Sequence, residues 1–278
     1  MSGTVFAIVA AAALLHALWN ALVKASGDRA VTLGMIAAGH LLLGGVTALF
    51  TPFPGWQAAP FILASTVIHW GYYWVMFHAY RLGDLSLVYP ISRGVAPVLV
   101  GLGATVAVGE TLSPLGWAGV LAVSSGVMLL AWGELRRGVS GAAAGLALLL
   151  GLIIAGYSLA DGTGARVSDS VAGYIAWLFV CEGIVAVWLL AVRGPSLLRL
   201  GPRPLLLGIT GGIASAVAYG LAIWAKTVAP FGLVSALRET SVVIAAAIGM
   251  LWFGERPWRP RLLAAAVVAL GAALIALA

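Results

Sequence analysis

Residues 85–114 read LSLVYPISRGVAPVLVGLGATVAVGETLSP, and residues 230–259 read PFGLVSALRETSVVIAAAIGMLWFGERPWR. Set one above the other at a shift of 145 residues, they place Arg93 on Arg238, Val98 on Val243 and Gly109-Glu110 on Gly254-Glu255. Further along, Val123 falls on Val268 and Gly126 on Gly271. The interval from arginine to glutamate is 17 residues in both copies. Each copy is an apolar run of helix length, carrying one arginine and closed by a Gly-Glu corner.

The chain on either side is more of the same. Apolar runs occupy about 4–24, 31–50, 58–80, 86–108, 114–132, 142–161, 170–191, 205–225, 232–253 and 261–277. Each is close to the ~20 residues that a bilayer-spanning helix needs. Of the 278 residues 62% are hydrophobic and 9% charged, with mean hydropathy +1.08. A soluble domain carries roughly 25% charged residues. So few charges cannot coat a water-facing surface, and lipid is the solvent for most of the outside. The expected fold class is all-α integral membrane, with ten transmembrane helices as two inverted five-helix repeats, 1–138 and 139–278. An odd number of spans per repeat forces the two copies into opposite orientation, an arrangement that transporters use for alternating access.

The separators carry loop signals: Ser26-Gly27-Asp28-Arg29, Pro52-Phe53-Pro54-Gly55, Gly83-Asp84, Gly201-Pro202-Arg203-Pro204. Gly141/Gly145 and Gly208/Gly212 have the small-xxx-small spacing that lets helices approach closely in lipid. The net charge of +6 comes from scattered single and paired basic residues, which set topology rather than bind nucleic acid. Odd-numbered loops hold Lys24, Arg29, Arg81, Arg136, Arg137, Arg193, Arg199, Arg203, Arg256, Arg259 and Arg261, while even-numbered loops hold only Arg166 and Lys226. By the positive-inside rule this places both termini in the periplasm of a bacterial-type inner membrane. The single cysteine, Cys181, excludes an internal disulfide and a multi-cysteine metal site.

The last helix pair of each half resembles the EamA family of the drug/metabolite transporter superfamily. The resemblance rests on Leu85 through Pro97, Val108-Gly-Glu-Thr-Leu-Ser-Pro114 and Gly126-Val-Met-Leu-Leu130, and on the second-copy stretches from Leu233 to Thr240, Phe253 to Pro257 and Gly271 to Ile275. The opening helix with Trp19 and Lys24 is also similar. The second copy departs at Pro97, whose counterpart is Val242. The resemblance implies a ten-helix carrier with a central cavity; exporters of amino acids, aromatic ones among them, belong to the same superfamily. Many relatives keep their termini inside, opposite to the Lys/Arg bias here.

Ionisable groups inside a span are costly and mark functional positions. His16, Trp19, Asn20 and Lys24 share one face of the first helix. That face lines a substrate path or forms a polar seam between helices. Trp70, Tyr73, Trp74 and Phe77 make an aromatic stripe on helix three beside His69 and His78, suited to stacking an amphipathic ligand or to packing. His40 reads as an interhelical hydrogen bond. Arg93 and Arg238, with Tyr89, Ser92, Thr240 and Ser241 near them, suit a carboxylate or phosphate gripped bidentately. Alternatively they pair with Glu182 or Glu239. Glu182 couples transport to protons or neutralises an arginine. Asp161 reads as a solvated helix end, and Glu110 and Glu255 as helix-end residues. Tyr157, Trp177 and Tyr219 complete the candidate lining.

No Gly-x-Ser-x-Gly or His-Glu-x-x-His motif is present, and only nine acids are available. The sequence therefore points to a carrier rather than an enzyme, a channel or a scaffold, with no cofactor and no metal. The partners expected are a small-molecule substrate and the bilayer, with one chain sufficing as a monomer. Amino acids, hydrophobic and aromatic ones included, lead as substrates, and export is the expected direction. Anionic metabolites such as sugar phosphates or phosphonates are the alternative. Trp19→Ala is expected to shift selectivity between large and small side chains across a substrate panel; an unchanged profile excludes a helix-one pocket.

Overall fold

A computed structural model describes residues 1–24, 29–82, 85–138, 140–188, 191, 202–253 and 258–278. Side chains are described across these ranges except at 22–24, 29–33, 73, 76–82, 85–86, 137, 202–204 and 252–253. The expected loops at 26–28, 83–84 and 254–257 lie outside the described residues. The helices are α1 Gly3–Lys24, α2 Arg29–Phe50, α3 Ala59–Leu82, α4 Leu85–Val108, α5 Pro114–Leu129, α6 Trp132–Arg137, α7 Gly141–Val167, α8 Val171–Glu182, α9 Pro202–Val228, α10 Phe231–Arg238, α11 Thr240–Phe253 and α12 Trp258–Leu277. No strand occurs among the described residues.

Among the described residues, seven stretches are long and apolar enough to cross a membrane: Gly3–Ala21, Leu87–Val108, Gly141–Val167, Val171–Trp188, Leu205–Val228, Phe231–Leu251 and Trp258–Leu277. The chain is thus an all-α, membrane-embedded protein. Two expected spans appear as shorter apolar helices, Gly34–Phe50 and Pro114–Leu129. The third, 58–80, falls in α3, several of whose side chains lie outside the described ones.

Local sequence explains where helices start and stop. Ser113, Ser140 and Ser170 cap α5, α7 and α8, accepting from the backbone N–H of Gly116, Ala143 and Gly173 at 3.1, 3.2 and 3.0 Å. Pro114 follows its cap in the first helical turn, where the missing N–H costs nothing. Gly109 ends α4 in the left-handed region at φ 68°, so the chain turns back at Glu110. Two prolines stay inside α4, Pro90 and Pro97. Each lacks the N–H that would bond the carbonyl four residues earlier, which frees the carbonyls of Ser86 and Arg93. The second copy is interrupted too, since α10 ends at Arg238 and α11 begins at Thr240.

The principal contacts fall in matched sets. α3 packs on α7, and α9 on α1; α4 packs on α7, and α10 and α11 on α1; α3 meets α8, and α9 meets α2. Two further pairs, α2 with α8 and α5 with α12, complete the set. Small residues make these approaches close. A Cβ on Gly271 would lie 2.7 Å from the Val123 backbone nitrogen, and one on Gly212 2.6 Å from the Ile36 carbonyl oxygen. Of the two small-xxx-small pairs in the sequence, Gly208/Gly212 is a contact with α2. Gly141/Gly145 touches nothing within 4 Å.

Gly271→Ala is expected to lower the thermal unfolding midpoint in detergent by the equivalent of about 1–3 kcal/mol of overpacking. Gly145→Ala, in open space, should leave it unchanged or raised. Equal midpoints for both variants would contradict the backbone approach of α5 and α12.

Candidate functional site

The polar side chains of the interior gather in two clusters joined by tyrosines. The first lies between α1, α4 and the α10–α11 break. Arg93 is 4% exposed, and its Nε lies 2.9 Å from Glu239 Oε2. Its NH2 group lies 3.3 Å from His16 Nε2, and its guanidinium 5.8 Å from the centre of the Tyr89 ring. Trp19 donates its indole N–H to His16 Nδ1 at 3.2 Å. A neutral imidazole offers one acceptor nitrogen, yet two donors converge on this one. Asn20 donates to the His16 carbonyl at 2.7 Å, so its amide serves its own helix.

Arg238 differs from its counterpart. Among the described residues no carboxylate lies within 4 Å of it. Its guanidinium instead sits over the Tyr219 ring, 5.1 Å from the centroid. It lines a small pocket with Ala96, Pro97, Ser158, Ser235 and Glu239, between α4, α7 and α10. Ser241, 1% exposed, has a hydroxyl with no hydrogen-bond partner. Of the two alternatives open in the sequence, Arg93 is ion-paired, and Arg238 has no ion pair among the described residues.

The second cluster joins α2, α3, α7, α8 and α9. Glu182, 3% exposed, has Oε2 at 3.0 Å from His40 Nδ1 and Oε1 at 3.3 Å from His69 Nδ1. Neither arginine is its partner. His69 Nδ1 also meets the Ser65 carbonyl at 2.9 Å, so that nitrogen carries the proton. His40 shows Nδ1 to the carboxylate and keeps Nε2 without a partner. The His69 ring stacks on Tyr157 with centroids 4.1 Å apart, and Tyr157 meets Tyr219 edge-on at 5.9 Å. Those two tyrosines are the bridge to Arg238.

Asp161 corrects the sequence reading. It is fully buried inside α7, which runs on to Val167, and is no solvated helix end. It accepts from the Tyr174 hydroxyl at 3.0 Å and from the Tyr219 hydroxyl. The glycines that follow it make contacts: Gly162 lies against the Phe231 ring and Gly164 against Tyr174 and Phe61. Lys226, read as a loop residue, is likewise buried inside α9, 1% exposed. Its Nζ donates to the Ser158 carbonyl at 2.9 Å and to Ser158 Oγ at 2.5 Å. Neither was among the candidate site residues. A more generous helix end would have found them, because each is an ionisable group flanked by apolar neighbours.

The tryptophans fall elsewhere. Trp70 and Trp74 are 40% and 65% exposed, in line with the exposed Leu63 and Val67. That i, i+4, i+7, i+11 stripe is apolar throughout, so it faces outward and not toward the clusters. Trp177 is also exposed and meets Phe53 edge-on at 5.9 Å. The side chains of Tyr73, Phe77 and His78 lie outside the described ones. Glu110 acts as a helix-end group: it accepts from the Phe231 backbone N–H at 2.8 Å and pairs with Arg166. Among the described residues no group of three or more His, Cys, Asp or Glu side chains could hold a metal ion.

No family model matches the chain, and no curated protein matches it. Solved structures do: one described only as the crystal structure of a protein is 20% identical, with a TM-score of 0.76 over 100% of this chain and 98% of that chain. At that identity the likeness is one of fold.

Arg93→Ala leaves Glu239 buried without its partner, which costs about 3–5 kcal/mol. Detergent-extracted yield and unfolding midpoint should fall sharply. The double variant Arg93→Met, Glu239→Leu is expected to recover most of the loss. Additive losses in the double variant would show that the two side chains are not a coupled pair.

Proposed function

We propose that the chain is a carrier of the EamA type, ten spans built as two inverted repeats, 1–138 and 139–278, that moves amino acids across an inner membrane by alternating access, in the direction of export. The repeat is supported by the matched helix contacts, since exchanging α1–α5 for α7–α12 maps the principal set onto itself. Carriers place their sites where spanning helices are interrupted. Here the two interrupted helices, α4 at its prolines and the α10–α11 pair, bring Arg93 and Arg238 to the same polar core.

The observation that carries the reading is Arg238. A cation in a lipid-embedded core needs an anion or a strong acceptor. Arg93 has its anion in Glu239, whereas Arg238 lies over the face of Tyr219 with no carboxylate within 4 Å among the described residues. A substrate carboxylate is the group that fits, gripped by the planar fork of the guanidinium. The neighbouring tyrosine rings suit an apolar side chain. Glu182, held between His40 and His69, is the buried carboxylate assigned to coupling on this reading. Anionic metabolites such as sugar phosphates remain the second reading, favoured by the two cations, Arg238 and Lys226, that no carboxylate within 4 Å neutralises among the described residues.

Counterflow in proteoliposomes tests this. Vesicles loaded with unlabelled neutral amino acids should accumulate an external labelled one. Arg238→Ala should abolish accumulation at near-normal folded yield, in contrast to Arg93→Ala. Accumulation driven by phosphorylated metabolites and by no amino acid would replace the leading reading with the second.

A further inference from the structure

We propose that Ser158 and Ser235, with Lys226 bonded to Ser158, form a built subsite for a carboxylate group in the pocket that Arg238 lines. The subsite rests on the carrier reading for its role, but its chemistry stands apart from which metabolite is carried.

Lys226 enters from α9 and is buried to 1% exposure, its ammonium on the Ser158 carbonyl and hydroxyl. An ammonium has three N–H donors, and two are used here. No carboxylate lies within 4 Å of it among the described residues. Burial of a lone ammonium is costly, and two neutral oxygens offset only part of the loss. An incoming anion supplies the rest.

Ser158 Oγ accepts from Nζ, and Ser235 Oγ lies 3.5 Å away on α10, where either hydroxyl can donate to the other. A hydroxyl oxygen has two lone pairs and a rotatable hydrogen, so either serine can turn its hydrogen to an incoming anion. Both serines line the pocket that holds Arg238. Chains of hydrogen bonds begun by a charged donor strengthen one another. The wall also holds the Glu239 carboxylate, which would repel an anion, but Arg93 at 2.9 Å neutralises it. The pocket is only about one water molecule in size, so it fits a carboxylate oxygen and not a whole substrate.

The test uses the purified full chain in detergent, with 3-phenylpropionate as the probe and 3-phenylpropionamide as its uncharged match. The carboxylate should raise the unfolding midpoint of the wild-type protein in a saturable manner, and the amide should not. In Lys226→Met and in Ser235→Ala the apparent affinity should fall by about tenfold or more, the ~1.4 kcal/mol step of one lost charge-assisted contact. Ser235→Ala removes only one hydroxyl, so it serves if the lysine variant fails to fold. Equal stabilisation by acid and amide, or unchanged affinity in Ser235→Ala, overturns the subsite. Failure of the amino-acid reading looks different: L-phenylalanine drives no counterflow while 3-phenylpropionate still binds in a Lys226-dependent way.

Discussion

A charge inside a lipid-embedded helix bundle must find a partner in protein, because neither water nor lipid supplies one. That constraint orders the interior of this chain. The buried acids each have a distinct solution: Glu239 faces an arginine, Glu182 two histidines, and Asp161 two tyrosine hydroxyls. These contacts tie α8 to α2 and α3, α7 to α8 and α9, and α4 to the α10–α11 break. Apolar packing in lipid discriminates weakly between neighbouring helices, since lipid tails are as apolar as leucine. The polar contacts therefore do much to fix which helix sits where, with close glycine contacts setting the distances.

The same constraint made much of the interior legible in the sequence. His16, His40, Arg93, Glu182 and Arg238 stand out because each interrupts an apolar run, and all five belong to the two clusters. Asp161 and Lys226 stood out less, because each was placed at a helix end. The helix runs on past Asp161 to Val167, where Gly162 and Gly164 let the Phe231 and Tyr174 rings lie against α7. The tryptophans on α3 failed for another reason. Their spacing shows a common face, but only the register of Leu63 and Val67 on that face reveals that it points outward. Spacing was equally silent on which glycine pair, 141/145 or 208/212, had a neighbour.

The corner glutamate shows how a motif gains meaning from three dimensions. Glu110 follows a glycine in the left-handed region. One oxygen takes the first N–H of α10, and the other takes Arg166 from the end of α7. Arg166 in turn donates to the carbonyls of Lys226 and Ala229 at the end of α9. One residue from the first half thus caps helix ends of the second half, directly and through Arg166. The acid suits the positive end of α10, and the arginine the negative end of α9.

The two arginines separate for a reason visible when the two sequence stretches are set one above the other. At the shift of 145 residues that relates Arg93 to Arg238, the counterpart of Glu239 is Gly94. The acid that follows Arg238 in sequence neutralises Arg93, and no acid follows Arg93 to return the favour. A Cβ at Gly94 would lie 2.4 Å from Met128 Cγ and 3.0 Å from the Ser124 carbonyl, so an acid there would have to displace the methionine. Close packing of α4 on α5 thus works against a symmetric pair of ion pairs. The outcome is one locked arginine and one arginine left facing an aromatic ring and a pocket. On the carrier reading that asymmetry leaves one arginine rather than two for an anion: the locked arginine holds the helices, and the other is left for the substrate.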